Sequence, residues 1–144
     1  MDALPDKDLS MLLRSLTTAT LLLGALTAHA TDALQGAWQL QSGESVDPHG
    51  AVVDYTSQKL AGSKVLADGR FAFTTTRDGA FWAGGSGTYR SEAGQYVETP
   101  LMASYPLEKG GSYTFRYTLE GDLWTLERWQ GERRVEREVW QRVR

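Results

Sequence analysis

Two-residue turn signals divide most of this 144-residue chain into short segments, and that punctuation constrains its fold more than any other feature. Asp68-Gly69, Asp78-Gly79, Ala93-Gly94, Gly121-Asp122 and Gly131-Glu132 are tight turns, with glycine where the backbone needs positive φ. Between them the side chains alternate. Phe71, Phe73 and Thr75 oppose Arg70, Ala72 and Thr74, while Tyr113, Phe115, Tyr117 and Leu119 oppose Thr114, Arg116, Thr118 and Glu120. A period of two marks strands that bury one face. No apolar helical period occurs after residue 30.

The alternation predicts strands over 34–42, 51–55, 63–67, 70–76, 88–91, 95–103, 112–119, 123–130 and 135–143, with one helical turn over 57–62 and a short piece at Phe81 and Trp82. About eight strands with short connections form an all-β, antiparallel, up-and-down sheet, and closing it into a barrel removes the two exposed edges. The first segment, Gly36-Ala37-Trp38-Gln39-Leu40, puts Trp38 and Leu40 on one face. It is expected to pair with the last segment, which carries Glu138, Trp140 and Arg142. Gly84-Gly85-Ser86-Gly87 leads into a strand, so it reads as a bulge or corner rather than a phosphate loop.

Residues 1–30 read as a signal peptide. Arg14 precedes an apolar centre at 21–26, and Ala28-His29-Ala30 supplies the small residues of a cleavage site. The acidic residues before Met11 are atypical of a leader, and Met11 is a plausible true start. The apolar run is too short to span a bilayer, so no stable membrane anchor is expected. Residues 31–144 form the single globular domain, and its expected location is periplasmic or secreted. A net charge of −3 gives no reason to expect a nucleic-acid partner. The absence of cysteine excludes disulfides and thiolate chemistry.

Gly36-x-Trp38 at the start of the first strand, together with Arg142 near the end of the last, resembles the signature of the lipocalins, or calycins. The order of Lys64-Val65-Leu66-Ala67-Asp68-Gly69-Arg70-Phe71, Gly84-Gly85-Ser86-Gly87-Thr88-Tyr89, Tyr96-Val97-Glu98, the 115–122 segment and the 138–143 segment is similar to that of small lipocalin-like domains secreted by bacteria, many of unknown function. The resemblance implies that Trp38 plugs one barrel end and Arg142 packs across it. Residues 31–144 are shorter than a typical lipocalin and lack its flanking C-terminal helix.

Little in the chain points to catalysis. His49, the one histidine beyond residue 30, lies in a Pro/Gly loop, with no triad around it and no zinc ligand set. Asp47 and Asp54 read as solvated loop residues. No metal or other cofactor is expected. Glu98 shares a face with Tyr96, and Glu136, Glu138 and Arg142 share one with Trp140. An inward Glu98 or Glu138 requires a partner; Arg142 is one candidate, and an outward charged ladder over 132–138 is the alternative.

The expected function is uptake of a small, largely apolar ligand by an exported, non-enzymatic barrel. The candidate lining is Trp38, Leu40, Phe71, Phe73, Glu98, Tyr113, Phe115, Tyr117, Trp124 and Leu126, with Gly36, Trp38, Glu138, Trp140 and Arg142 sealing the barrel. Two alternatives remain. One is a periplasmic interaction or envelope accessory protein with a filled core, working through the 43–62 loop; its protein partner is not specified by the sequence. The other is an enzyme using Glu98 with Tyr96 or Tyr89.

Overall fold

A computed structural model describes residues 32–144; the predicted leader and its cleavage site lie outside the described residues. Nine strands follow in order: β1 (Gly36–Val46), β2 (Val52–Asp54), β3 (Leu60–Ala67), β4 (Arg70–Arg77), β5 (Ala80–Glu92), β6 (Gln95–Ala103), β7 (Tyr113–Glu120), β8 (Leu123–Gln130) and β9 (Arg133–Val143). All pairings are antiparallel, each long strand lies beside its sequence neighbours, and β9 returns to β1. The result is a closed, eight-stranded, up-and-down barrel. β2 is a three-residue addition at the far end of β1.

The turn chemistry acts as the sequence predicts. Asp68 and Gly69 both have positive φ, 46° and 72°, the mirror-image turn whose twist matches that of the flanking strands. Three hairpin turns and the two chain ends of the barrel lie at one end. The other end carries the 47–59 connection, Asp78-Gly79, the 104–112 connection and Gly131-Glu132.

Several boundaries differ from the sequence reading: β1 runs on to Val46 rather than ending at 42, because residues 43–45 continue the ladder with β9. The helical turn expected over 57–62 is instead a tight turn running into β3 from Leu60, with Leu60 N donating to Tyr55 O at 2.9 Å. Pairing of Leu60 with Arg77 and Ala61 with Thr76 supplies ladder hydrogen bonds that one isolated helical turn cannot match. The Phe81–Trp82 piece and the 88–91 strand are one strand of 13 residues running through Gly84–Gly87. Register shifts at Thr75/Thr76 and Ser86/Gly87 absorb the irregularity that glycine introduces.

The solid part of the core lies toward the end where the termini of the barrel meet. Leu34, Trp38, Leu66, Phe71, Tyr89, Tyr96, Phe115, Trp124, Leu126 and Trp140 form one buried cluster. Trp38 packs 5.2 Å from Trp124, whose ring meets Tyr96 edge-on at 5.0 Å. Each such fully buried side chain contributes about 1.5–3 kcal/mol or more through apolar burial. Trp140 belongs to this cluster, whereas Val135, Val139 and Val143 do not, although the first two are buried, so the Trp140 face of β9 is the inward one.

Closure is direct. Trp38 faces Arg142 and Leu40 faces Trp140 across β1 and β9. The Arg142 guanidinium lies 4.2 Å from the Trp38 ring centroid. It also donates to Gln35 O at 2.5 Å and to Ala33 O at 2.6 Å. The segment before β1 is thereby tied across the barrel end, where Trp38 Nε1 donates to Leu34 O. Gly36 is required there: its φ is +130°, and a Cβ would lie 2.9 Å from the Arg142 guanidinium.

Candidate functional site

Toward the opposite end the barrel is not filled. A cavity of about 480 Å3 opens there, within the usual range of small-molecule sites, about 300–1,000 Å3. Its apolar walls are Leu40, Leu60, Phe73, Phe115 and Trp140, with Tyr55, Trp82, Tyr105 and Tyr113 around them. Tyr55 reaches the interior because Gly43 has no side chain: a Cβ there would sit 2.3 Å from the Tyr55 ring.

The polar groups come from four strands. Lys64 of β3 is 5 % exposed and Glu98 of β6 is 6 % exposed; their Nζ and Oε1 atoms are 2.7 Å apart. Tyr96 also donates to Glu98 Oε1, at 2.8 Å. The Lys64 ammonium lies 5.1 Å from the Trp140 ring centroid, 5.5 Å from Trp124, 5.7 Å from Tyr96 and 6.0 Å from Phe73. Desolvation is thus met by one carboxylate and four ring faces. Burial is the strongest influence on Lys64 and works against its charge. The carboxylates of Glu98, Glu138 and Glu136 outweigh it and hold the ammonium above its usual pKa.

Glu136 and Glu138 project from β9 into the same cavity. Arg128 Nε donates to Glu136 Oε2 at 2.7 Å, and Tyr55 OH lies 3.4 Å from Glu136 Oε1. Glu138 receives one hydrogen bond, from Trp140 Nε1 at 2.9 Å, and forms no ion pair among the described residues. Burial within the barrel, then the neighbouring Glu136, push its carboxyl up to about 7, against the opposing pull of Lys64. Burial, followed by nearby carboxylates, also holds the Tyr55 and Tyr96 phenols above their usual range, so both act as neutral donors.

Of the residues read from the sequence as ligand-lining, Leu40, Phe73, Glu98, Tyr113 and Phe115 border the cavity. Trp38, Phe71, Trp124 and Leu126 are packed in the solid core instead, and Tyr117 packs against it. Arg142 belongs to the opposite end, so the cation partnering Glu98 is Lys64, not Arg142. The charged ladder over 132–138 is divided: Arg134 bridges Glu44 and Glu127 outside, while Glu136 and Glu138 face inward.

Lys64, Arg128 and the inward role of Glu136 escape the sequence reading. Lys64 alternates with Gly62 and Leu66, all three buried on one face of β3, a face that the flanking residues leave undecided in the sequence. His49 is exposed and its loop is organised by Asp47, whose Oδ1 accepts from His49 N and Ala51 N. Tyr89 is buried in the core cluster, away from the cavity.

Neither a protein-family model nor a curated protein matches the chain. The functional reading therefore rests on the cavity itself. Its chemistry is two-part: aromatic walls that suit an apolar body, and an ionic floor that suits a polar end.

Proposed function

We propose that this protein is an exported, lipocalin-like binding barrel that holds a small amphipathic molecule in the open half of its interior. The observation that carries the reading is the cavity of about 480 Å3, bounded by aromatic rings and floored by ionised side chains. The expectation of a largely apolar ligand narrows accordingly, because a wholly apolar molecule would leave the floor groups desolvated without new partners. The closed eight-stranded ring and the Trp38–Arg142 stack support the lipocalin-like reading. Outward-facing Arg70, Thr74, Arg90, Arg116 and Thr118 are exposed and suit water rather than lipid around the barrel. Export, to the periplasm or medium, rests on the leader-like segment at 1–30, and binding without catalysis on the lack of a nucleophile–base pair among the described residues.

Native mass spectrometry of protein purified from its own host should show a co-purifying small molecule. Titration with the neutral dye Nile red should give saturable, one-to-one binding that is lost in Ala83→Trp, which fills the cavity from β5. A protein that emerges empty and does not bind the dye would remove the proposal.

Glu138 favours a second reading. A carboxyl held near pH 7 in an open cavity is suited to general acid–base work. In that case Glu138, not Glu98 with Tyr96 or Tyr89, is the proton-transfer group, and Glu138→Gln should abolish turnover while leaving ligand affinity nearly intact.

A further inference from the structure

We infer that the polar end of the ligand is a cation, an ammonium or guanidinium group, seated against Glu138. This rests on the binding-barrel reading above and specifies which class of molecule it takes.

The carboxylates facing the cavity are Glu98, Glu136 and Glu138, and the cations are Lys64 and Arg128. Each cation is already engaged: Lys64 with Glu98 and Arg128 with Glu136, both at 2.7 Å. Glu138 is left with one hydrogen-bond donor, the Trp140 indole, and feels Lys64 only as a longer-range attraction without an ion pair. With all five groups ionised the cavity carries one negative charge in excess. A neutral ligand leaves that excess in place, and an anionic one adds repulsion at short range in a poorly solvated space.

The walls favour the same class. Ring faces are electron-rich and attract cations, and Tyr55, Trp82, Tyr105 and Tyr113 surround the open part of the cavity. The barrel already satisfies one buried ammonium in this way, holding Lys64 between Glu98 and four rings. Glu138 beside Trp140 offers half of a second such seat, with the cation to come from outside.

Binding of a cation at Glu138 depends on pH. The groups that bear on Glu138 are Lys64 from β3, Glu98 and Tyr96 from β6, Glu136 from its own strand, and Tyr55 from the β2–β3 connection, with Arg128 of β8 paired to Glu136. A bound cation favours the ionised carboxylate, so binding near neutral pH should expel roughly half a proton per ligand, since the carboxyl titrates near 7 in the free protein.

Calorimetry with three shape-matched probes, 2-(1-naphthyl)ethylamine, 2-(1-naphthyl)ethanol and 3-(1-naphthyl)propionate, tests this. At pH 8 the amine should bind about tenfold or more tighter than the alcohol, and the propionate weakest. In Glu138→Gln the advantage of the amine should shrink to about threefold or less while the alcohol is nearly unaffected. Should that variant not fold, the wild-type series suffices: the amine's advantage should fade as pH drops from 8 to about 5.5, and heats in two buffers of different ionisation enthalpy should reveal the released proton. If alcohol and amine bind equally, or the preference survives in Glu138→Gln, the cation assignment is overturned and the binding barrel stands. If no probe binds, both fall.

Discussion

Lys64 and Glu98 are buried together, and neither would be tolerated alone. Lys64→Met should destabilise the barrel by about 3–5 kcal/mol, because Glu98 would remain as an uncompensated charge. Urea unfolding of Lys64→Met and of the double variant Lys64→Met/Glu98→Gln measures this, and the double variant should recover much of the loss. Glu138 makes a different prediction. Its carboxyl titrates near 7 when folded, above the ordinary value of 4.5. The folded protein therefore holds more protons than the unfolded chain between those values, and stability should fall as pH rises through that window. Glu138→Gln should flatten that fall and gain roughly 2 kcal/mol at pH 8. Thermal melts of both proteins from pH 4.5 to 8 check it. Glu98 was legible from its two-residue offset from Tyr96. Lys64 was not, since Val65 and Leu66 are both apolar and leave the inward face of β3 undecided, and lysine is among the residues least often buried.

Among the strands, β9 shows best how context assigns a face. Its sequence, Arg-Arg-Val-Glu-Arg-Glu-Val-Trp-Gln-Arg-Val, alternates with valines at 135, 139 and 143 opposing Trp140. Only the indole joins the core cluster, which sends Glu136 and Glu138 inward with it. Arg142, in phase with them, ends over Trp38 at the closed end. Arg142→Lys should cost about 1–2 kcal/mol, because an ammonium cannot span both the Gln35 and Ala33 carbonyls while stacking on the indole. Differential scanning calorimetry reads the loss directly. Ligand affinity in this variant should be unchanged, since the cavity lies at the other end.

In the assembled barrel, the pairing that seals the ring joins β1 to β9 and so links the most distant strands in the chain. Contacts of such long sequence separation incur their loop-closure entropy before any reward, and place folding in the millisecond-to-second range typical of closed β structures. Stopped-flow refolding monitored by tryptophan fluorescence should show this slow phase, and Arg142→Lys should mainly accelerate unfolding if closure forms last. The same closure divides the interior into a solid half around Trp38 and Trp124 and a hollow half around Lys64 and Glu138. Ten buried core side chains fill the first half, and two of them, Phe115 and Trp140, also border the second. In the second, Tyr55 takes the space beside Gly43 and Trp140 the space beside Gly62, and Lys64, Thr75 and Glu98 line what stays open.

The antiparallel strands and nearly all of their turns follow from local information: a two-residue period, and dipeptides whose backbone geometry few other residues adopt. So do the aromatic faces of β4 and β7, because alternation places each side chain relative to its neighbours. The meeting of the first and last segments was also within reach of the sequence, and the packing of Arg142 across Trp38 was implied by the lipocalin resemblance. The ionic floor was not. Which face of β3 and β9 turns inward, which cation meets which carboxylate, and how much of the interior remains empty depend on groups brought together across β3, β6, β8 and β9. Strand periodicity defines two faces and leaves inside and outside interchangeable; only packing against the other seven strands breaks that symmetry.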